Sequence, residues 1–172
     1  MMKRTLAVAC VLCAAFAASI TADELTLVQF DGGIGVIPVS NVTANADGTV
    51  TMNRNIVRGV NPPGQIWVIR SLQADVSTDG HITASGRGLL LGGGNNVGLN
   101  GGQSVRATLI CEAAAPVVLR DTATVPLAAN GDFRIDDMLT PAPGPTCASP
   151  VLLIRNTGGR WFAAGILKLS SE

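Results

Sequence analysis

A chain of 172 residues with 12 basic and 12 acidic side chains and a single histidine supports only a limited range of chemistry. Without an excess of cationic side chains it has no basic patch to neutralise phosphates, so nucleic acid is not an expected partner. One imidazole cannot build a zinc or copper site, so we expect neither a metal nor a cofactor.

The first 22 residues have the layout of a secretory signal peptide. A short basic start at residues 1–4 precedes an uncharged, mostly apolar run, and a small residue, Ala22, lies before Asp23 and Glu24. The apolar run is shorter than the ~20 residues that a membrane-spanning helix needs. Lipoprotein cleavage before Cys10 is a weaker alternative. We therefore expect residues 23–172 to form an exported, periplasmic or extracellular, single domain without a membrane span.

Removal of the signal leaves two cysteines, Cys111 and Cys147. An even number of cysteines in an exported chain predicts one disulfide, because thiols oxidise outside the cytoplasm. In the chain-entropy description, closing a loop of about 36 residues stabilises the fold by ~3–4 kcal/mol. Two buried free thiols are the alternative.

The remaining pattern predicts strands throughout. Apolar residues alternate with polar ones, and glycine, proline and Asp-Gly or Asn-Gly turns recur at short intervals. The expected strands occupy residues 25–31, 35–39, 49–52, 65–76, 81–91, 104–111, 116–127, 132–138, 151–155 and 160–169.

Nine or ten such strands favour an all-β, antiparallel two-sheet sandwich with an immunoglobulin-like, Greek-key architecture. The likeness concerns the architecture alone. The Cys-Trp-Cys order of true immunoglobulin domains is missing, because Trp67 precedes both mature cysteines and Trp161 follows both.

Two loops are the candidate recognition sites, since a β scaffold usually presents its function on loops. Residues 92–102 hold six glycines and three asparagines, and we expect a long, mobile connection. This segment lacks the spacing and the lysine of a phosphate-binding loop. The second loop, residues 140–146, is rich in proline. The residues proposed for recognition are Gly92, Gly93, Gly94, Asn95, Asn96, Asn100, Pro141, Pro143 and Pro145.

Other candidate sites are weaker. His81 is expected to be an exposed residue at the shoulder of a hairpin. A calcium loop starting at Asn45 fails because its twelfth position is Ile56 rather than glutamate, and Asp136 with Asp137 would need further ligands. Arginines spread along the strands could line a surface that binds acidic ligands.

The function expected from these observations is binding or structural, without a catalytic centre, and with an unknown protein or small molecule as partner. One alternative is a self-assembling surface or periplasmic subunit that pairs through an edge strand in residues 25–39. Another is a hydrolase built on carboxylates and arginine, for which Asp75 and Asp121 are the named acids.

Overall fold

The fold is taken from a computed structural model that describes residues 25–169. The expected signal peptide, residues 1–22, lies outside the described residues. Within them the chain forms strands and no helix, which confirms the all-β prediction. The thirteen strands are β1 (Thr26–Gly35), β2 (Val39–Ala44), β3 (Val50–Arg54), β4 (Trp67–Val68), β5 (Ser71–Ser77), β6 (His81–Arg87), β7 (Leu90–Leu91), β8 (Ser104–Ile110), β9 (Arg120–Asp121), β10 (Val125–Pro126), β11 (Phe133–Met138), β12 (Val151–Asn156) and β13 (Trp161–Leu167).

Nine of the strands form one antiparallel sheet in the order β10-β8-β12-β13-β1-β5-β6-β11, with β9 also paired to β8. The sheet curls, and an isolated bridge between Asp121 and Thr140 links β9 to the residues just after β11. The remaining described strands form two short pairs, β2-β3 and β4-β7. The antiparallel prediction is therefore confirmed, but a two-sheet sandwich is not, because the core lies inside a single curled sheet.

Alternation along the strands explains how the sheet encloses its core. On β5, Leu72, Ala74 and Val76 are buried while the intervening side chains are exposed. On β6, Ile82 and Ala84 are buried in the same way. Burying a side chain such as Leu72 contributes roughly 1.5–3 kcal/mol. The two strands pair in register, Ala74 opposite Ala84, so their apolar faces point into one core.

Several predicted strands are interrupted. The stretch 65–76 is split into β4 and β5, and 81–91 into β6 and β7, because the chain leaves the main sheet to form the small β4-β7 pair. Residues 116–127 contribute only the two-residue strands β9 and β10. In contrast, β1 continues through the glycines at 32 and 33, where the pairing with β13 shifts register, instead of ending there.

The predicted disulfide is present, and it joins Cys111 to Cys147 across a sequence separation of 36. Cys111 directly follows β8, and Cys147 lies just ahead of β12. The two strands are already neighbours, with Val151 opposite Ile110. The disulfide therefore fastens one end of an existing ladder.

The hairpin of residues 39–54, called the arm below, differs from the rest of the described chain. It consists of β2 and β3, which pair only with each other, and almost all of its residues are exposed. It thus adds nothing to the core. Among the described residues no helix has the length and apolar character needed to cross a membrane.

Candidate functional site

The two candidate loops lie at opposite ends of β6. The glycine-rich loop, residues 92–102, follows β7 beyond the end of β6, whereas the proline-rich loop follows β11, whose last residue Met138 pairs with His81. At about 3.3 Å per residue, the seven residues of β6 separate the loops by roughly 20 Å. The two sets of predicted recognition residues are therefore not brought together.

The glycine-rich loop folds back on itself and is held by hydrogen bonds. The Leu91 amide donates to the Leu99 carbonyl at 2.9 Å, and the Gly98 amide donates to the Leu91 carbonyl at 2.8 Å. The Asn100 side chain donates to the Leu127 carbonyl at 2.8 Å and so fastens the loop to the residue after β10. Backbone groups thus supply the hydrogen bonds that the small side chains of this loop cannot make.

A cavity of about 330 Å³ opens between this loop, the segment before β4, and the residues Asn156 on β12 and Phe162 on β13. We call it the amide cleft, because four of the side chains that line it are carboxamides. Two further lining residues carry aromatic rings. The residues that define it are Gln65, Trp67, Asn96, Gln103, Asn156 and Phe162.

The aromatic part of the cleft is a stacked pair. The ring centroids of Trp67 and Phe162 lie 3.9 Å apart with an interplanar angle of 9°. Val36 positions both residues: its amide donates to the Phe162 carbonyl, and its carbonyl accepts from the Trp67 amide, each at 3.0 Å. Because Trp67 is only 4% exposed and Phe162 only 2%, the pair is a rigid apolar base for the cleft rather than an open stacking platform.

Hydrogen bonds orient two of the four carboxamides. The Asn156 side-chain nitrogen donates to Gln103 Oε1 at 3.1 Å, and the Arg160 amide donates to Asn156 Oδ1 at 2.9 Å. Gln103 in turn donates to the Gly101 carbonyl at 3.1 Å. No ionisable side chain is among the residues that line the cavity. This arrangement can donate and accept hydrogen bonds to a neutral group, and it offers no charge to balance an ionic one.

Only one of the recognition residues predicted from sequence, Asn96, lines the amide cleft. Gly92, Gly93, Gly94 and Asn95 belong to the same loop but not to the lining, and Asn100 anchors the loop. In the proline-rich loop, Pro143 lies against Gly80. Neither Pro141 nor Pro145 lines the amide cleft.

Sequence reasoning missed Gln65, Trp67, Gln103, Asn156 and Phe162. They come from four separate parts of the chain, and only the pairing of β4 with β7 and of β8 with β12 brings them together. A sequence feature that could have drawn attention to Trp67 and Phe162 is the scarcity of aromatic residues, which make up 3% of the chain.

The charged groups nearest to one another form structural ion pairs. Asp121 accepts from Thr108 at 2.6 Å, and its carboxylate lies 3.1 Å from Arg155 and 3.5 Å from Arg106. Asp75 instead accepts from Gln29 on the neighbouring strand. The sheet order places β1, β13 and β12 between β5, which carries Asp75, and β8, with which the Asp121 strand β9 pairs. The two acids that were proposed for hydrolysis therefore lie on distant strands.

The ion pair between Arg120 and Glu112 changes the pKa of the Glu112 carboxyl group. Glu112 accepts from Arg120 at 2.8 Å, and this hydrogen bond lowers the pKa of Glu112 to about 2. His81 Nε2 lies 2.8 Å from Asp136, so the histidine takes part in a surface contact with β11. No group of three or more histidine, cysteine or acidic side chains in residues 25–169 is arranged to hold a metal ion.

Comparisons with known proteins add no family to this picture. No protein-family model, no curated protein and no solved structure matches the chain. The functional argument therefore rests on the geometry of the amide cleft and of the exposed surfaces.

Proposed function

We propose that this chain is an exported, non-catalytic binding protein that takes an uncharged, hydrogen-bonding ligand in the amide cleft. The observation that carries the proposal is the combination of four carboxamide side chains with a stacked Trp67–Phe162 pair and no ionisable side chain in the lining. Ligand sites commonly join an apolar base to a few fixed polar groups, and this cleft has both parts.

The size and polarity of the cleft limit the ligand class. Its volume of about 330 Å³ is at the lower end of the range of small-molecule sites, about 300–1,000 Å³. A single sugar unit or a short, end-blocked peptide segment fits this size. Both present neutral donors and acceptors that match carboxamides, and both have apolar edges that can rest against Leu91 and the aromatic pair.

Export is supported by the disulfide, since such bonds persist in oxidising compartments. The alternative of self-assembly through an edge strand in residues 25–39 is not favoured. The strand β1 is not at an edge, because it pairs with β5 on one side and with β13 on the other. The hydrolase alternative is not favoured either, because Asp121 is held by Arg155 and Thr108 and lies on a different part of the sheet from Asp75.

The test is ligand-observed NMR on the protein with three neutral probes, glucose, N-acetylglucosamine and N-acetyl-alanine-amide, and with acetate and methylammonium as charged probes. We expect saturation transfer to at least one neutral probe and to neither charged one. Asn96→Ala removes one wall of the cleft, so it should weaken that binding about tenfold, in line with the loss of one or two hydrogen bonds.

Asn95→Ala is the matched control, because Asn95 is the adjacent asparagine, is also exposed and does not line the cleft. Binding should survive this change. If no neutral probe binds at millimolar concentration, or if both variants bind as well as the wild type, the amide cleft is not the ligand site and the proposal fails.

A further inference from the structure

The chain contains two Asn-Gly dipeptides, Asn100-Gly101 and Asn130-Gly131. In such a pair the backbone nitrogen of the glycine can attack the carboxamide carbon of the asparagine, because no glycine side chain blocks the approach. The attack closes a succinimide ring and releases ammonia, and water then opens the ring. Both dipeptides carry this chemistry, so the surrounding structure decides which of them reacts.

Each of the two asparagines forms an Asx turn, in which the side-chain oxygen accepts from the backbone amide two residues later. The Gly102 amide donates to Asn100 Oδ1 at 3.0 Å, and the Asp132 amide donates to Asn130 Oδ1 at 3.1 Å. Such a turn folds the carboxamide back over the following peptide, whose nitrogen is the attacking atom. The donor also stabilises the negative charge that develops on Oδ1 during the attack.

The attacking nitrogens differ between the two sites. The Gly131 amide donates to the Ala128 carbonyl at 2.8 Å, and the Gly131 carbonyl accepts from the Leu89 amide at 2.8 Å. Gly131 is also buried, whereas Gly101 is exposed. Within residues 25–169 no acceptor receives the amide proton of Gly101. Because the nitrogen must lose this proton to attack, Gly101 is the better placed nucleophile.

Deamidation of Asn100 removes the bonds that fasten the glycine-rich loop. The Asn100 side-chain nitrogen donates to the Leu127 carbonyl at 2.8 Å and to the Ala128 carbonyl at 3.1 Å. Both possible products, aspartate and isoaspartate, lack this nitrogen and carry a carboxylate, which donates no hydrogen bond and repels the two carbonyl oxygens. At Asn130 the nitrogen donates to Asp132, two residues away, so the same change there has a local effect.

We propose that Asn100 is a self-modification site, at which the chain deamidates spontaneously and thereby releases the glycine-rich loop. The Gly101 nitrogen gives its proton to water and bonds to Cγ of Asn100, and Nδ2 takes up a proton and leaves as ammonia. Water opens the succinimide at either carbonyl, so one water is consumed for each ammonia released. Water is the only reactant, and the reaction does not depend on ligand binding in the amide cleft.

The released loop forms part of the amide cleft. Asn96, Gly101 and Gln103 line the cleft, whose lining has no ionisable side chain. Deamidation places a carboxylate beside this lining and frees the loop that carries it. An aged copy of the protein therefore differs from a new one in the charge and the mobility of one cleft wall. This consequence for the cleft, unlike the deamidation itself, rests on the proposed function.

The first test follows both dipeptides in one sample. The folded protein and the protein unfolded in guanidinium chloride are kept at pH 7.4 and 37 °C, and peptide mass spectrometry with isoaspartate detection measures each site over time. The unfolded chain should react at similar rates at both sites. In the folded protein Asn100 should react about tenfold faster than Asn130, which is the effect of one hydrogen bond on the nucleophile.

The proposal is overturned if Asn100 reacts no faster than Asn130 in the folded protein, including the case in which both stay unmodified. A difference that persists in guanidinium chloride would also overturn it, because the sequence and not the structure would then be the cause. Asn100 should still react more slowly in the folded protein than in the unfolded chain, since its two bonds to residues 127 and 128 must break.

The second test removes the nucleophile. Gly101→Ala and Gly102→Ala are a matched pair, because φ is +57° and +62° at these glycines and neither new Cβ would lie closer than 3.7 Å to its surroundings. Gly101→Ala places a methyl group beside the attacking nitrogen and should slow deamidation of Asn100 about tenfold, whereas Gly102→Ala should not. Thermal melts check that both variants fold. Equal rates in the two variants would contradict attack by the Gly101 nitrogen.

The last test measures the release of the loop by hydrogen exchange. Asn100→Asp carries the carboxylate of the product, so the amides of Gly98 and Gln103, which donate within the loop, should exchange about tenfold faster than in the wild type. Asn95→Asp places the same charge in the same loop but keeps both bonds from Asn100, so its exchange should match the wild type. Unchanged exchange in Asn100→Asp, or an equal increase in both variants, would refute the release of the loop.

Discussion

Removing the disulfide is the perturbation whose effect follows most directly from the structure. The double variant Cys111→Ala/Cys147→Ala removes both sulfur atoms of the disulfide and introduces no buried hydroxyl. The ladder between β8 and β12 should persist, because the Ser149 amide still donates to the Cys111 carbonyl at 3.0 Å and Val151 still pairs with Ile110. The native contacts therefore change little, and the main effect falls on the unfolded chain.

The size of that effect follows from the length of the closed loop. With a sequence separation of 36, the chain-entropy relation gives a loss of about 4 kcal/mol in the free energy of unfolding at 25 °C. The closed loop contains β9, β10 and β11, so the unfolded oxidised chain is restricted over the whole segment that links the two ends of the curled sheet. The double variant should also expose more surface on unfolding and show a steeper dependence on denaturant.

Guanidinium chloride unfolding followed by tryptophan fluorescence measures both quantities, since Trp67 and Trp161 are buried. Wild-type protein unfolded in the presence of a reductant is the matched comparison and should agree with the double variant. A loss below about 1 kcal/mol with an unchanged slope would refute the loop-entropy reasoning, because it would mean that the reduced unfolded chain keeps the same restriction.

Two further changes test the backbone and the electrostatics. A Cβ at Gly131, where φ is +80°, would lie 2.5 Å from the Leu89 nitrogen, so Gly131→Ala should destabilise the protein by about 3 kcal/mol or more in thermal unfolding. Gly48 has the same φ but open space around it, so Gly48→Ala should cost only about 1–2 kcal/mol, and equal losses would contradict the clash. Because Arg120 lowers the pKa of Glu112 from 4.5 to about 2, the ion pair stabilises the fold above pH 4.5 and this contribution is lost as the pH falls to about 2. Glu112 is partly exposed, so the ion pair contributes about 1–2 kcal/mol to the free energy of unfolding after screening. Glu112→Gln should therefore make the free energy of unfolding less dependent on pH between about 2 and 4.5. A pH dependence that is the same in the variant and the wild type would argue against the pair.

The strands could be predicted because their signal is local. Alternation on β5 and β6 and the Asp-Gly turn between them are visible within a few residues, and the structure pairs these strands in the expected hairpin. The disulfide was predictable for a similar reason: two cysteines allow only one pairing. Each of these inferences depends on residues that are close in sequence or few in number.

The arrangement of the sheet and of the amide cleft could not be predicted, because both depend on distant pairings. β1 lies between β5 and β13, which are about 45 and 135 residues further along the chain, and no local pattern specifies that choice. Gln103 and Asn156 likewise meet only because β8 pairs with β12. In the arm, the strand predicted at 49–52 corresponds to β3, whereas β2 was missed because it is polar on one face and lies fully outside the core.

The β8–β12 ladder separates the feature that stabilises the fold from the site that we propose for binding. At one end Ile110 pairs with Val151 next to the disulfide; at the other Val105 pairs with Asn156, whose side chain bonds to Gln103 in the amide cleft. Six residue pairs lie along this ladder, a distance of roughly 20 Å. Loss of the disulfide should therefore lower stability without changing the affinity of the folded protein for its ligand. The arm belongs to neither end of this ladder, because β2 and β3 pair only with each other.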